Sequence, residues 1–350
     1  MHCSRALALS TTKPMRSCLM KKTILLTAML GAATLAHADI SYEINETSKV
    51  SVGLWFDLGL QRVGTPDGSD WKVASSGPPM NRVMFRGQKT FSPDLEAFAY
   101  LEHRFRPNTG ENAPGANTSA PTEVQLYRHS WLGLRGDRWG ELRVGKMLNA
   151  LQEFNGGYEP WKGGTTVANV HTGGINSGVR QNNTVYYKSP DLAGFRAHVS
   201  VSDDEGNTNN ATIADPKTLW AVGGQYKSGP ISVAAAFDQG IRQQETKGLY
   251  GSYNFGFATL MAQWENGDNG VGTDSVTRRS IGAVIPSGKF TYLLGYLNQP
   301  DEKKNRFGVG LEYWADSQLG FYTNMGLNRG DGWTAAQRKA QFDVGFRVKF

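Results

Sequence analysis

The final eleven residues, Ala340 to Phe350, alternate without interruption. Phe342, Val344, Phe346, Val348 and Phe350 fall on one face, and Gln341, Asp343, Gly345, Arg347 and Lys349 on the other. Successive side chains of a β-strand point to opposite faces, so this segment reads as a strand with an apolar side and a wet side. A strand of that kind fits a membrane barrel whose outside meets lipid and whose inside holds water. The period returns early in the chain, with Val50, Val52, Leu54, Phe56, Leu58 and Leu60 outward and Ser51, Gly53, Trp55, Asp57, Gly59 and Gln61 inward. A tilted strand needs ~9–11 residues to cross a bilayer, and this segment is long enough.

Other segments share the pattern: Leu95 to Phe105, Gln125 to Arg135, Phe195 to Ser202, Ile231 to Asp238, Phe257 to Glu265 and Phe307 to Trp314. About sixteen such segments can be counted, an even number, as bacterial barrels require. The expectation is an all-β, transmembrane antiparallel barrel. Short connections carry turn residues, among them Ser92-Pro93-Asp94, Gly136-Asp137, Ser228-Gly229 and Asp316-Ser317. Between them lie longer polar ones: Val63 to Met80, Pro107 to Glu123, Asp203 to Pro216, Gly267 to Ser275 and Gly330 to Gln337. Short turns at one end and long loops at the other are the form of a barrel that crosses a membrane.

One connection breaks the rhythm. Leu148 to Gly178 is rich in glycine, yet it keeps Leu151, Phe154, Tyr158 and Trp161. Connections beyond ~12–15 residues are usually functional or disordered, and a disordered one would not hold so many large apolar side chains. The segment is expected to fold inward against the barrel wall.

The N-terminus carries a leader. Met20-Lys21-Lys22 is a basic start, Thr23 to Leu35 an apolar stretch, and Ala36-His37-Ala38 a small-residue cleavage site. Together they read as a secretory signal peptide with an N-terminal extension over 1–38, leaving a barrel over 39–350. The leader holds Arg5, Lys13, Arg16, Lys21 and Lys22 and no acid, so the 37 basic residues fall to 32 against 31 acidic ones. A nucleic-acid partner thereby loses its electrostatic support. Both cysteines, Cys3 and Cys18, leave as well, which removes disulfides, thiolate metal sites and a cysteine nucleophile. A mean hydropathy of −0.43 agrees with a barrel, since only alternate strand residues must be apolar around a wet lumen.

Four short segments then carry a resemblance. Arg82-Val83-Met84-Phe85-Arg86-Gly87 is similar to the R-x-x-F-[KR]-G segment of the general diffusion porins, Gram-negative outer-membrane channels. Arg128 with Ser130-Trp131-Leu132-Gly133-Leu134, and Arg180-Gln181-Asn182-Asn183, resemble the fourth- and sixth-strand segments of the same family. Gln152-Glu153-Phe154-Asn155-Gly156-Gly157 stands where that family has P-E-F-G-G on its inward third loop. The resemblance implies a trimeric sixteen-stranded barrel that passes small hydrophilic solutes without catalysis or cofactor. It implies that Arg82, Arg128 and Arg180 form a ladder at the constriction opposite Glu153, with Arg86 and Asn149 as further pore-lining positions. Three arginines against one acid imply a weak anion preference.

The terminal Phe350 resembles the signal read by the outer-membrane assembly machinery, and the implied surroundings are outer-membrane lipid and lipopolysaccharide. A homotrimer would use the Pro107 to Glu123 loop to reach a neighbouring subunit. His103, His129, His171 and His198 lack metal-ligand spacing, and no metal is expected. Asp203-Asp204-Glu205 reads as a solvated loop tip. Other classes stay open on sequence alone: a substrate-specific channel of the same fold, an enzyme barrel, for which no G-x-S-x-G is present, or a structural or adhesive barrel.

Overall fold

The structure is a computed structural model that describes residues 39–77, 81–112, 127–173, 175, 180–203, 218–240, 244–268 and 274–350. The expected signal peptide lies outside these residues. So do most of the Pro107 to Glu123 connection and two residues of the Asp203-Asp204-Glu205 run.

Among the described residues the backbone forms eighteen strands. The first four are β1 (Ile40–Asn45), β2 (Ser48–Thr65), β3 (Gly68–Ala74) and β4 (Arg82–Ser92). Next come β5 (Leu95–Arg104), β6 (His129–Gly136), β7 (Gly140–Met147), β8 (Gln181–Lys188) and β9 (Phe195–Ser202). The second half holds β10 (Leu219–Ser228), β11 (Ile231–Gln239), β12 (Glu245–Asn254), β13 (Thr259–Asp268) and β14 (Ser275–Ser287). It ends with β15 (Phe290–Gln299), β16 (Lys304–Trp314), β17 (Leu319–Arg329) and β18 (Gln341–Lys349).

From β4 to β18 each strand pairs antiparallel with the next, and β18 pairs with β2 to close the ring. Two strands continue others. β2 pairs with β4 through Ser48 to Trp55 and with β3 through Gly59 to Thr65, so β3 and β4 lie in line along one edge. On its other edge Val52 faces Ile40, Leu54 exchanges two hydrogen bonds with Phe350, and Trp55 faces Lys349. The chain's end thus runs on into β1, and the eighteen strands make sixteen staves. The pairing of β18 with β2 joins the two ends of the sheet, as a lipid-facing barrel requires.

The alternation survives in three dimensions. On β18 Val344 and Phe346 are each 47% exposed, whereas Asp343 is 2% and Arg347 5%. On β2 Val50, Val52, Phe56 and Leu60 face out, and Trp55, Asp57 and Gln61 are buried inside. The expected loop from Val63 to Met80 is a different object. β2 continues to Thr65, turns at Pro66-Asp67 and returns as β3. Pro presets the backbone angle of such a turn, and Asp and Gly accept its remaining positions, so the hairpin outlasts the apolar pattern.

A barrel of this kind keeps its apolar core where something packs against the wall, and here that is the connection after β7. It opens with α1 (Ala150–Asn155) and one 3₁₀ turn, Gly156–Tyr158. Leu151, Phe154 and Tyr158 pack on Ala234, Ala236 and Tyr250 of β11 and β12. Further along, Trp161, Ala168 and Val170 pack on Leu293 and Leu297 of β15. Each fully buried side chain of this size contributes ~1.5–3 kcal/mol. Hydrogen bonds fix the path: Trp161 Nε1 donates to Asn324 Oδ1 at 2.8 Å, and Thr165 Oγ1 to Asp343 Oδ2 at 2.7 Å. Arg347 donates to the Gly164 carbonyl at 3.1 Å. The inward-folded third loop is therefore present, running along β10 to β18.

Candidate functional site

With the loop laid on one side of the lumen, the wall from β4 to β8 is left to face it. Inward positions here carry charge. Arg82 and Arg104 sit directly opposite each other on β4 and β5. Between them Glu102, buried to 2% exposure, accepts from Arg104 Nε at 2.5 Å, Arg82 Nη1 at 3.4 Å and Tyr100 Oη at 2.7 Å. The Arg82 guanidinium also stacks 4.5 Å from the Trp55 ring. Arg128, just ahead of β6, donates its backbone N–H to the Glu102 carbonyl at 2.7 Å. Arg180, just ahead of β8, donates Nε–H to His129 Nε2 at 3.0 Å.

These cations lie within one another's field in sequence around the wall: Arg104 with Arg82, Arg128 with Arg104, Arg180 with Arg128. The three arginines expected from the motifs are brought together, and Arg104 links them. Lys146 joins the group, in the field of Arg128 and Arg180. Simple alternation assigns Lys146 to the lipid side, because Val144 faces out. The register to β8 slips between Gly145 and Met147, with Gly145 at φ 139°, so the alternation is broken at this point.

Glu153 has a partner that the motifs do not name. It stands on α1 at the root of the loop, and Arg143 Nη1 of β7 reaches its Oε1 at 3.3 Å. Arg143 belongs to no recognisable motif, although its inward parity on β7, with Leu142 and Val144 outward, marks it as a lumen residue. Asn149 corrects the expectation outright. It is fully buried, not pore-lining: Oδ1 accepts from the Gln152 N–H at 2.9 Å and Nδ2 donates to Asp238 at 2.9 Å. It is the N-cap of α1, a position that favours asparagine for its side-chain oxygen. Arg86 is half-buried, ion-paired with Asp39 and 5.3 Å from the Tyr100 ring. Phe350 points outward and is 47% exposed.

Two loop groups have shifted titrations. Burial raises the Glu159 carboxyl although it accepts from the N–H groups of Gly163 and Val170 at 3.0 and 3.1 Å. Burial, with the charge of Arg278, lowers His171 to about 4. Among the described residues no group of three or more His, Cys, Asp or Glu is placed to hold a metal.

Comparison with known proteins gives this barrel its class. A family model described as Gram-negative porin matches residues 25–332. The chain belongs to that family. It is 26% identical to an outer membrane porin protein of Bordetella pertussis over 95% of this chain and 100% of the relative. It is likewise 26% identical to outer membrane porin protein 32 of Delftia acidovorans over 87% of this chain and 89% of the relative. Among solved structures, the anion-selective porin from Comamonas acidovorans superposes with a TM-score of 0.70 at 20% identity, covering 87% of this chain and 100% of that one. OmpT of Vibrio cholerae in its trimer form superposes at 0.62 and 14% identity, covering 87% and 100%. The barrel, the family and a multi-pass position in a Gram-negative outer membrane agree with the sequence reading.

Proposed function

We propose that the barrel is a general diffusion channel for small hydrophilic solutes and ions, with a weak preference for anions. The observation that carries the preference is the gathering of Arg82, Arg104, Arg128 and Arg180 around Glu102 and its cross-strand partner His129, with Glu102 the acid set among them. Glu153, the acid expected to oppose them, is engaged by Arg143. Similarity to an anion-selective porin points the same way. Transport of this sort needs positioning of charge and no bond chemistry, because a ring of charge biases which ions enter a wet constriction. The preference is modest, since salt screens charges over ~8 Å at physiological ionic strength.

The functional unit in this reading is a homotrimer of chains cleaved between Ala38 and Asp39. Support comes from the trimeric form of a structural neighbour and from the leader sequence. Support also comes from Asp39 itself, whose carboxylate reaches Arg86 and Ser51 from just ahead of the first strand.

Planar-bilayer reversal potentials under a KCl gradient test the proposal on protein purified from outer membranes. Chloride should be favoured over potassium, increasingly so as salt is diluted, and Arg128→Glu should reduce or invert the bias. Cation selectivity in the wild type, or no response to Arg128→Glu, would overturn it. Intact and native mass spectra of the same preparation read the cleavage site and the subunit number.

A further inference from the structure

We infer that Arg143 determines how much of the loop's negative charge the pore feels, by holding Glu153 against the wall. The inference rests on the channel reading above and names a residue that controls its selectivity.

Arg143 is held from four sides. Its guanidinium lies 4.8 Å from the Trp131 ring and 5.1 Å from the Tyr186 ring. It pairs with Glu141, two residues earlier on the same inward face, and its Nη1 reaches Glu153 at 3.3 Å. A planar guanidinium can stack on rings while its donors diverge to two carboxylates; an ammonium cannot do both. Glu141 has a second cation, Lys188, at 3.3 Å. For Glu153, in contrast, Arg143 is the cation within ion-pairing distance among the described residues.

The setting of Glu153 determines the outcome when that contact is lost. Its neighbours on α1, Leu151, Gln152, Phe154 and Asn155, are all buried, which keeps the helix seated. Asn149 caps the helix and ties it to Asp238, independently of Arg143. Glu153 alone in that turn is partly exposed, at 32%. Released, the side chain has room to rotate while its backbone stays in place. Its charge already acts on Arg180, at the end of the cationic line. Arg143 is a positioning residue: it cancels an acid and also fixes where that acid points.

Charge cancellation and positioning make different predictions. If Arg143 only contributed a positive charge, removing it and removing Glu153 would alter selectivity independently. If it holds Glu153, the two changes are coupled. The test is a cycle of wild type, Arg143→Gln, Glu153→Gln and the double variant, each read as a chloride-to-potassium permeability ratio from reversal potentials.

Glu153→Gln should raise the ratio more in the Arg143→Gln background than in the wild type, by at least about twofold, equivalent to ~0.4 kcal/mol of coupling. Arg196→Gln is the control. It removes the same charge from an exposed pair, with Asp191 at 3.2 Å, and should move the ratio less than Arg143→Gln does. Arg143→Lys should restore part of the ratio, since the charge returns without the double engagement. Equal effects of Glu153→Gln in both backgrounds would overturn the inference.

Heat-modifiable migration reports whether each variant forms a barrel. If Arg143→Gln forms none, the cycle is run with Arg143→Lys, where coupling of the same sign is required and additivity is the overturning result. Failure of the channel reading is distinguishable: it would show as cation selectivity in the wild type, whatever the cycle gives.

Discussion

The two sides of the lumen are built from strands with the same alternation and opposite inward chemistry. Behind the loop, inward positions are glycine at Gly223, Gly282, Gly295, Gly308, Gly310 and Gly326. A side chain at Gly308 would collide with the Ala168 carbonyl, one at Gly326 with the Val167 carbonyl, and one at Gly282 with Pro160. Facing the loop, the corresponding inward positions are Arg82, Tyr100, Glu102, Arg104, Trp131 and Arg143. The difference shows what inward means on each side. On one, backbone must approach backbone, and only the absence of Cβ allows it; on the other, long charged side chains have room to pair with one another and to stack on the Trp55, Trp131 and Tyr186 rings.

The comparison breaks most completely if the glycine cradle is filled. Gly308→Val and Gly326→Val together should unseat the loop, because overpacking costs ~1–3 kcal/mol at each site and the carbonyls they strike belong to loop backbone. The barrel should still form, since ladder hydrogen bonds do not depend on these side chains. Single-channel recordings should show altered conductance and far more open-channel noise. Gly87→Val, on the outer face opposite Val50, is the control for adding a branched side chain to a strand, as a Cβ there meets nothing within 4 Å. Wild-type conductance and noise in the double variant would mean the loop is not held by this contact.

A smaller effect separates the ion pairs of the two sides. Arg347 is buried at the loop tip, donating to Asp57 Oδ2 at 2.7 Å, to Ser76 Oγ and the Gly164 carbonyl at 3.1 Å, and pairing with Glu312. Arg347→Met strands the fully buried Asp57 carboxylate, and breaking one partner of such a pair costs ~3–5 kcal/mol. Arg82→Met leaves the equally buried Glu102 still paired with Arg104 at 2.5 Å and accepting from Tyr100 Oη at 2.7 Å, so no carboxylate loses its cation and the cost is smaller. Thermal loss of the heat-modifiable form should therefore come at clearly lower temperature in Arg347→Met than in Arg82→Met. Equal shifts would show that Arg104 does not hold Glu102 once Arg82 is gone.

Much of this was legible in the residue order. Alternation gave both faces of β2 and β18, and the apolar residues of Leu148 to Gly178 gave a docked loop, because each depends on side chains near in sequence. What stayed hidden depends on register and on local backbone. Arg104 and Glu102 matter because β5 sets them beside Arg82, a cross-strand relation that no short motif records. Lys146 lies in a bulge that breaks the very alternation used to read faces. Asn149 looks like a neutral substitute for a pore acid until the helix it caps is seen. The Gly295, Gly308, Gly310 and Gly326 cradle was visible only as an abundance of glycine, 42 residues or ~12% against a usual ~7%.

The smallest expected effect concerns pH and the returning arm of the loop. His171 is held down to about 4 by burial and by the charge of Arg278, whose Nη1 donates to the neighbouring Thr172 carbonyl at 3.1 Å. A histidine on an undocked loop would titrate near ~6.5. Above that value neither form binds a proton, and His171 leaves docking unchanged. As pH falls from ~6.5 toward ~4 the undocked loop gains a proton that the docked one refuses, so this residue weakens docking progressively. Glu159 opposes it, because burial raises its carboxyl and favours the protonated form in the docked loop. The wild-type trend is thus a difference of two terms, and His171→Asn isolates one of them. Relative to wild type, the variant should show less open-channel noise at about pH 5 than at about pH 8. A variant-to-wild-type noise ratio that stays flat over that interval would mean His171 has no part in seating the loop.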